Sequence, residues 1–233
     1  MTLETVIMQP GIRPDLVYVC LDEKLDELAS LVDLFGFQYV KIKSSFNYTE
    51  IYHKSLEKIW ELADKDKQTI IVIEEELILS PDFLYFFTQV HETFMNDHSL
   101  AAVSTWNPNS FLQLDGSPSL IYRTNDFPGL GYMLKRTVYD KFMRNRLAVC
   151  CSERAWYSWK TLDLETSYSE QVDVLMPDVS RVFRRPYDIS SFDYPFLNNL
   201  FNRKRKTNLY DVFIFCCCIF FCDFAKVFFF FIF

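Results

Sequence analysis

The stretch IIVIEEELILSPDFLYFF, residues 70–87, decides the predicted fold because it combines a buried strand, an acidic strand end and a helix start. Its first four residues form a short apolar, β-branched run, which favours a strand covered on both faces, as in a parallel sheet. Residues 80–82, Ser-Pro-Asp, are typical of an N-cap, a first helical position and an acid at the positive end of a helix. The glutamates at 74–76 therefore follow the carboxyl end of a strand, where ligands collect in open α/β sheets. The alternative is a solvated acidic edge without a site.

The amino-terminal half repeats this order of strand and helix. DLVYVCLDE, from Asp15, predicts a strand with acids at its end, and KLDELASLVDLFG predicts a helix that ends at Gly36. QYVKIK predicts another short strand, and EIYHKSLEKIWELADK predicts an amphipathic helix. Strands that alternate with helices indicate right-handed crossovers. We therefore expect one α/β domain with a mainly parallel central sheet flanked by helices.

The pattern of the second half is less regular. LAAVSTWN and LIYRT predict two further strands on either side of the turn-rich loop NPNSFLQLDGSPS. DFPGLGYMLKRTVYDKF predicts a Pro-Gly-x-Gly turn that leads into a helix. QVDVLMPDVSRVF is strand-like with a proline break. These segments extend the α/β domain without a detectable repeat.

Charge and cysteine content exclude some classes of protein. The formal net charge is -7, with 31 acidic against 24 basic side chains, which argues against a general nucleic-acid surface. The seven cysteines show neither the paired spacing of a zinc site nor a regular disulfide framework. No apolar signal region follows Met1, so we expect either a cytosolic protein or an incomplete amino terminus.

The carboxyl-terminal tail differs in composition from the rest of the chain. Residues 212–233, VFIFCCCIFFCDFAKVFFFFIF, approach the length of a membrane span, but two charged residues lie near the centre. We consider a carboxyl-terminal anchor, a membrane-interface segment and translated non-coding sequence from a faulty gene model, and favour the last. We therefore divide the chain into a domain at 1–205 and a hydrophobic Phe/Cys-rich tail at 206–233. Residues after about Asn208 are expected to pack poorly against the domain.

Five segments in one order carry a resemblance to a known family. They are EEELILSPDF, VSTWNPN, YRTNDFPGLGYML, AWYSW and MPDVSR. Together they resemble the landmarks of the animal N-acetylglucosaminyltransferase I family, to which the protein O-mannose β-1,2-N-acetylglucosaminyltransferases are related. The match is dense from about Ile70 to Asp140 and patchy to Arg181.

The resemblance implies a fold and an activity. Enzymes of this family have a fold of the glycosyltransferase A type and are anchored in the Golgi membrane with a luminal catalytic domain. They use Mn²⁺ and transfer N-acetylglucosamine from UDP-N-acetylglucosamine, with inversion, in β-1,2 linkage to a mannose of a protein-linked glycan. The family's first strand and amino-terminal anchor are not visible ahead of Asp15, so we expect a chain truncated at its amino terminus. N-glycan and O-mannose acceptors both remain open.

The resemblance also assigns roles to single residues, which would hold the donor and its metal. The third acid of the triplet, Glu76, would ligate the metal, although the family usually has Asp there. The residues expected at the sugar nucleotide are Asp22, His53, Glu74, Glu75, Leu130 and Ser180. A divalent cation held by carboxylate at a strand end stabilises the charge of the leaving diphosphate.

The residue expected to act as the base is substituted. In the family an Asp of the WDDW or WDMW segment takes the proton from the acceptor hydroxyl, and in AWYSW that place is Tyr157. An ordinary Tyr, with a pKa of about 10, is a poor base at neutral pH. Glu153 and Asp163 are possible substitutes. The rival hypotheses are a catalytically impaired protein that binds sugar nucleotides, and a tail-anchored protein without sugar chemistry.

Overall fold

The computed structural model describes residues 1–43, 48–144, 173–185, 203–209 and 227–232. The helices are α1 (Thr2–Ile7), α2 (Asp26–Leu34), α3 (Tyr48–Leu62), α4 (Phe83–Asn96) and α5 (Arg136–Val138), with a 3₁₀ turn at Pro14–Leu16 and a π-helical turn at Tyr139–Met143. The strands are β1 (Val17–Asp22), β2 (Gln38–Ile42), β3 (Thr69–Ile73), β4 (Leu77–Leu79), β5 (Leu100–Ser104), β6 (Ile121–Thr124), β7 (Tyr132–Lys135), β8 (Asp173–Pro177), β9 (Val182–Arg184) and β10 (Val227–Ile232). None of the described helices is long and apolar enough to cross a membrane.

Eight strands form a mixed sheet of order β2-β1-β10-β3-β7-β5-β8-β6, and β4 pairs with β9 in a separate ribbon. The half that runs from β2 to β3 is parallel, as predicted. The prediction of a mainly parallel sheet is wrong for the other half, because β7 runs antiparallel to both β3 and β5, and β6 runs antiparallel to β8. The fold is therefore α/β with a mixed sheet.

Alternating side chains of β3 pack on the two faces of the sheet. Ile71 and Ile73 belong to the apolar cluster that contains Phe83 and Phe87 of α4. Ile70 and Val72 belong to the cluster on the other face, which contains side chains of α3. Successive strand residues point to opposite faces, so a strand buried on both faces is apolar throughout. This arrangement explains the uninterrupted apolar run that precedes the acidic triplet.

Two local predictions are corrected by tertiary contacts. YMLK, predicted as the entry to a helix, forms β7, because four consecutive buried residues fit a central strand as well as a buried helix. The N-cap predicted at Ser80 is wrong as well, because α4 begins at Phe83 with Asp82 in the N-cap position. The Asp82 carboxylate instead accepts from Arg181 Nε at 3.0 Å and from Asn208 Nδ2 at 2.8 Å in the buried interior.

The strand β10 is the main departure from the prediction for the tail. It lies between β1 and β3 and pairs with both in parallel register, with Phe229 opposite Val17 on one side and Ile71 on the other. The expectation that residues after about Asn208 pack poorly is therefore wrong for 227–232. A continuous apolar run is the sequence expected of a strand buried in the centre of a parallel sheet.

Candidate functional site

Two acidic strand ends lie at one edge of the sheet. β1 ends at Asp22, and β3 ends at Ile73, immediately before Glu74. Both strands are parallel to β10, whose Phe231 is level with Val19 of β1 and with Ile73 of β3. β1 and β3 are two strand spacings of roughly 4.8 Å apart, and Asp22 lies three residues beyond the level of Ile73, so the two ends are about 14 Å apart. The structure thus brings Asp22 and the acidic triplet to the same edge, while their roles stay predictions.

Glu74 is the buried member of the triplet, with 3% of its surface exposed. Its Oε1 accepts the backbone N–H of Leu130 at 3.3 Å, whereas Oε2 has no hydrogen-bond partner among the described residues. Burial raises the pKa of Glu74 to about 7, Arg184 opposes this shift and Glu75 adds to it. An acid of this pKa carries a proton over part of the neutral range, so Glu74 can donate as well as accept a hydrogen bond.

The turn that holds Leu130 has an unusual backbone. Gly129, Leu130 and Gly131 have φ values of 68°, 54° and 71°, all in the left-handed region that favours glycine. Ser104 Oγ donates to the carbonyl of Gly129 at 3.0 Å, and Thr105 Oγ1 donates to the carbonyl of Gly131. The end of β5 therefore fixes this turn so that the N–H of Leu130 points at Glu74. The buried Leu130 side chain packs in the core.

The other two acids of the triplet face outward to different extents. Glu75 is partly exposed, and its Oε1 lies 3.7 Å from Nη2 of the buried Arg184. Glu76 is exposed and has a φ of 62°, a conformation that costs a residue with a side chain about 1–2 kcal/mol. Its carbonyl accepts the N–H of Arg185 at 3.1 Å, which ties the turn to the end of β9. The Glu76 side chain is exposed at this turn, two residues after the buried Glu74.

Arg184 is a site residue that the sequence analysis missed. It is buried, it is opposite Leu77 in the β4–β9 ribbon, and its charge acts on Glu74. A charged residue inside the apolar strand pattern VSRVFR is the signal that the sequence offered. A buried guanidinium beside two carboxylates partly balances their negative charge.

Two buried tyrosines, Tyr52 of α3 and Tyr132 of β7, form a pair on which the charge of Glu74 acts through Tyr132. Tyr52 and Tyr132 are both buried and hydrogen-bond through their hydroxyl groups, and the pKa of Tyr132 is raised well above its ordinary value by burial and, to a smaller extent, by Glu74. His53 is the next residue of the helix, turned about 100° away. Its Nε2 lies 3.4 Å from the backbone oxygen of Arg144. The His53 ring therefore lies against the end of the π-helical turn, and its role at the nucleotide stays a prediction.

Ser180 forms hydrogen bonds with two distant segments of the chain. Its side chain is buried, its Oγ accepts the N–H of Asn107 at 2.9 Å, and its carbonyl accepts the N–H of Asn208 at 2.9 Å. It lies beyond the opposite end of β9 from Arg184. The role of Ser180 at the donor stays a prediction. The candidates for the base, Tyr157, Glu153 and Asp163, lie outside the described residues.

One exposed carboxylate at this edge, that of Glu76, could ligate a divalent cation. Among the described residues, no group of three or more His, Cys, Asp or Glu side chains is arranged to hold a metal ion. Mg²⁺-like cations are often bound by only one or two carboxylates, with phosphate oxygens and water as the other ligands. The exposed Glu76 carboxylate offers such a hard oxygen donor at the strand end.

Comparison with known proteins identifies one protein family that matches this chain. The model of the GNT-I family matches residues 38–184, which is more than half of the chain. An alpha-1,3-mannosyl-glycoprotein 2-beta-N-acetylglucosaminyltransferase of Arabidopsis thaliana is 30% identical over 114 residues, which are 49% of this chain and 24% of that protein. The matched part thus spans about a quarter of the relative's length. A solved structure, A197 from STIV, aligns with 73% of this chain and 84% of its own at 14% identity and a TM-score of 0.39, which is too low to support an argument.

Proposed function

Because the chain belongs to the GNT-I family, we propose that it binds UDP-N-acetylglucosamine at the acidic edge and transfers N-acetylglucosamine to a mannose of a protein-linked glycan, in β-1,2 linkage and with inversion. The relative from Arabidopsis thaliana, named for the same transfer, supports the substrate class. The observation that carries the proposal is the bond from Leu130 N–H to Glu74. It joins the acidic triplet to the Pro-Gly-Leu-Gly turn, two segments that are far apart in sequence.

Each residue at this edge has its own proposed role in donor binding. Glu76, exposed at the strand end, would hold Mn²⁺, which when bound supplies a Lewis acid for the leaving diphosphate. The neighbouring Glu75, with Asp22 on the parallel strand, would accept hydrogen bonds from the hydroxyl groups of the nucleotide. Glu74, whose Oε2 has no hydrogen-bond partner among the described residues, would orient the donor sugar or the ribose through a hydrogen bond to this oxygen. The left-handed turn at Leu130 would close the site against the sugar.

The transfer itself needs a base for the acceptor hydroxyl. The acceptor oxygen attacks the anomeric carbon, the bond from this carbon to the UDP oxygen breaks on the opposite face, and the hydroxyl proton passes to the base. By the resemblance, Tyr157 occupies the place of this base. We therefore propose that the chain binds its donor more effectively than it transfers the sugar.

Metal-dependent donor binding tests the proposal. Titration calorimetry with UDP-N-acetylglucosamine should show binding that needs Mn²⁺, and Glu76→Gln should weaken it by about tenfold or more, because one charge-assisted ligand is lost. Glu92→Gln is the matched control, since Glu92 is an exposed glutamate on α4. Donor binding that is independent of Mn²⁺, or equal losses in both variants, would contradict the assignment of Glu76.

A catalytically impaired protein that binds sugar nucleotides is the second candidate function. The observation in its favour is Tyr157 at the place of a carboxylate base. A transfer assay with mannosides of N-glycan and O-mannose type, run beside the calorimetry, separates the two functions. Binding with no detectable transfer to either acceptor would favour the impaired protein.

A further inference from the structure

The eight-stranded sheet ends at β2 on one side and at β6 on the other. β6 pairs with β8, and among the described residues no strand pairs with its outer edge. An edge strand is a template for pairing with another chain unless charge, proline or a covering segment prevents it. The exposed Lys41 in β2 provides such a charge at the opposite end of the sheet. β6 is therefore the edge more open to a partner.

The pairing with β8 determines which backbone groups of β6 face outward. Asp178 donates its N–H to the carbonyl of Leu120, so Leu120 and every second residue after it direct their backbone groups to β8. Ile121 lies opposite Pro177, which has no N–H and cannot complete a hydrogen-bonded pair. The N–H and C=O groups of Ile121 and Arg123 thus face away from β8. The outer edge of β6 presents both donors and acceptors.

These outward groups are complementary to those of a second copy of the chain. If a two-fold axis relates two antiparallel β6 strands, with Tyr122 opposite its own copy, then Ile121 lies opposite Arg123 of the second copy. Each such pair exchanges both of its N–H···O bonds, so every outward group is used. Tyr122 occupies the non-hydrogen-bonded position, where Cα atoms are about 4.5 Å apart and side chains are closest. Such an interface is isologous.

The side chains beside β6 suit a protein partner. Tyr122 is 41% exposed, and Leu112, Leu114 and Leu120 of the preceding loop are exposed as well. Tyr122 and Leu114 line one cleft together with Phe111, so these apolar groups adjoin one another. Adjoining exposed apolar groups mark interaction surfaces, and Tyr and Phe are enriched in protein interfaces.

The charges near β6 are compatible with a second copy. Arg123 Nη1 lies 2.8 Å from Asp97 Oδ2, and its Nε donates to Asp173, so two carboxylates balance the charge of this edge residue. The loop beside β6 carries both signs of charge, with Asp115 in one cleft and Lys204 in a neighbouring one. A rim with both signs of charge can be complementary to its own copy.

We propose that two copies of the chain associate through β6 and form a dimer with one continuous sheet. The proposal does not depend on the chemistry of the acidic edge. Four strand spacings of roughly 4.8 Å separate β6 from β3, a distance of about 19 Å across the sheet. The donor site proposed for each copy therefore stays accessible in the dimer.

Sedimentation velocity of the full chain, from about 1 to about 100 µM, tests the proposal and should show a concentration-dependent equilibrium of monomer and dimer. Tyr122→Asp places like charges opposite each other at the two-fold axis and should weaken the dimer about tenfold or more. Tyr85→Asp is the matched control, because both tyrosines are 41% exposed and Tyr85 lies on α4. It should dimerise like the unaltered chain.

A mixture of two variants tests whether Tyr122 faces its own copy. Tyr122→Lys alone should weaken the dimer as Tyr122→Asp does, since like charges again lie opposite each other. An equimolar mixture of the two variants should dimerise, because opposite charges then face each other. Energy transfer between differently labelled chains detects this heterodimer. A substitution that only disturbed the loop would not be relieved by mixing.

Ile121→Pro acts on the backbone instead of a side chain. Proline is tolerated on an edge strand whose N–H faces solvent, so this variant should stay folded by circular dichroism while its dimer weakens. The proposal is overturned if the unaltered chain stays monomeric throughout, if Tyr122→Asp and Tyr85→Asp dimerise alike, or if the mixture stays monomeric. Mn²⁺-dependent donor binding, measured on the same samples, should be equal in all variants. Its absence from the unaltered chain would overturn the proposed function and leave the dimer standing.

Discussion

Leu130 donates its backbone N–H to Glu74 Oε1 across 3.3 Å, and this bond joins the end of β3 to a left-handed turn that precedes β7. The bond satisfies one oxygen of a carboxyl group that is otherwise buried without a hydrogen-bond partner among the described residues. Desolvation of that group is the largest cause of its raised pKa. The stability of the fold should therefore depend on the protonation of Glu74.

The first prediction concerns the pH dependence of Glu74→Gln. The pKa is 4.5 ordinarily and about 7 in the fold, so between these values the folded chain binds more protons than the unfolded chain. The unfolding free energy contributed by this group therefore falls as pH rises through that window and is level above it. The glutamine variant lacks this loss. Its stability relative to the unaltered chain should rise by about 2–3 kcal/mol from roughly pH 5 to pH 7.5.

Urea denaturation at the two pH values measures this difference. Glu92→Gln, an exposed change of the same chemistry, should show no such rise. A constant difference between Glu74→Gln and the unaltered chain would mean that the carboxyl group is ionised throughout this range.

The second prediction compares two glycines with the same backbone conformation. Gly131 and Gly36 both have a φ of 71°, but a Cβ atom on Gly131 would lie 2.7 Å from Thr105 Oγ1 and 3.0 Å from Val182 Cγ1, while Gly36 has open space. Gly36→Ala should cost about 1–2 kcal/mol through the left-handed conformation alone. Gly131→Ala should cost about 1–3 kcal/mol more through overpacking. Thermal or urea unfolding gives both values, and equal losses would refute the close approach at the turn.

The sequence predicted the elements that carry strong periodicity. The predictions of a strand at 70–73 and of a helix after it are both confirmed. The strand could be predicted because burial on both faces requires a continuous apolar run. The edge shared by Asp22 and Glu74 also followed from parallel strand order. These predictions hold because the local pattern and the tertiary environment agree.

Other features depend on contacts between distant segments, which a single sequence does not display. The reversal at β7 cannot be read from YMLK, because four buried residues have no diagnostic period. The sequence also did not show that Tyr52, next to His53 on α3, pairs with Tyr132 of β7, because about 100° of helix rotation decides which side chain faces the sheet. Arg184 joined the site through the pairing of β9 with β4. Such a pairing has no signature within either strand.

The third prediction tests the central position of β10. Phe229→Pro removes a backbone N–H from a strand with a neighbour on each side, and proline is tolerated essentially only on edge strands or at bulges. We expect a loss of about 3 kcal/mol or more, or failure to fold. Phe229→Leu keeps the N–H and an apolar side chain and should remain folded. Circular dichroism and urea unfolding distinguish them, and a stable, cooperative proline variant would show that β10 is dispensable.

The last prediction separates binding from turnover at Tyr157. The donor contacts proposed for Asp22, Glu75 and Glu76 lie on other segments, so Tyr157→Asp should leave Mn²⁺-dependent binding of UDP-N-acetylglucosamine nearly unchanged. A carboxylate at this place should raise the rate of transfer, because general base catalysis contributes typically about 10²–10⁴-fold. Tyr157→Phe is the matched control and should stay as slow as the unaltered chain. If the unaltered chain transfers rapidly, and Asp163→Asn or Glu153→Gln abolishes transfer, the base is one of those carboxylates and AWYSW does not align with the family's base as proposed.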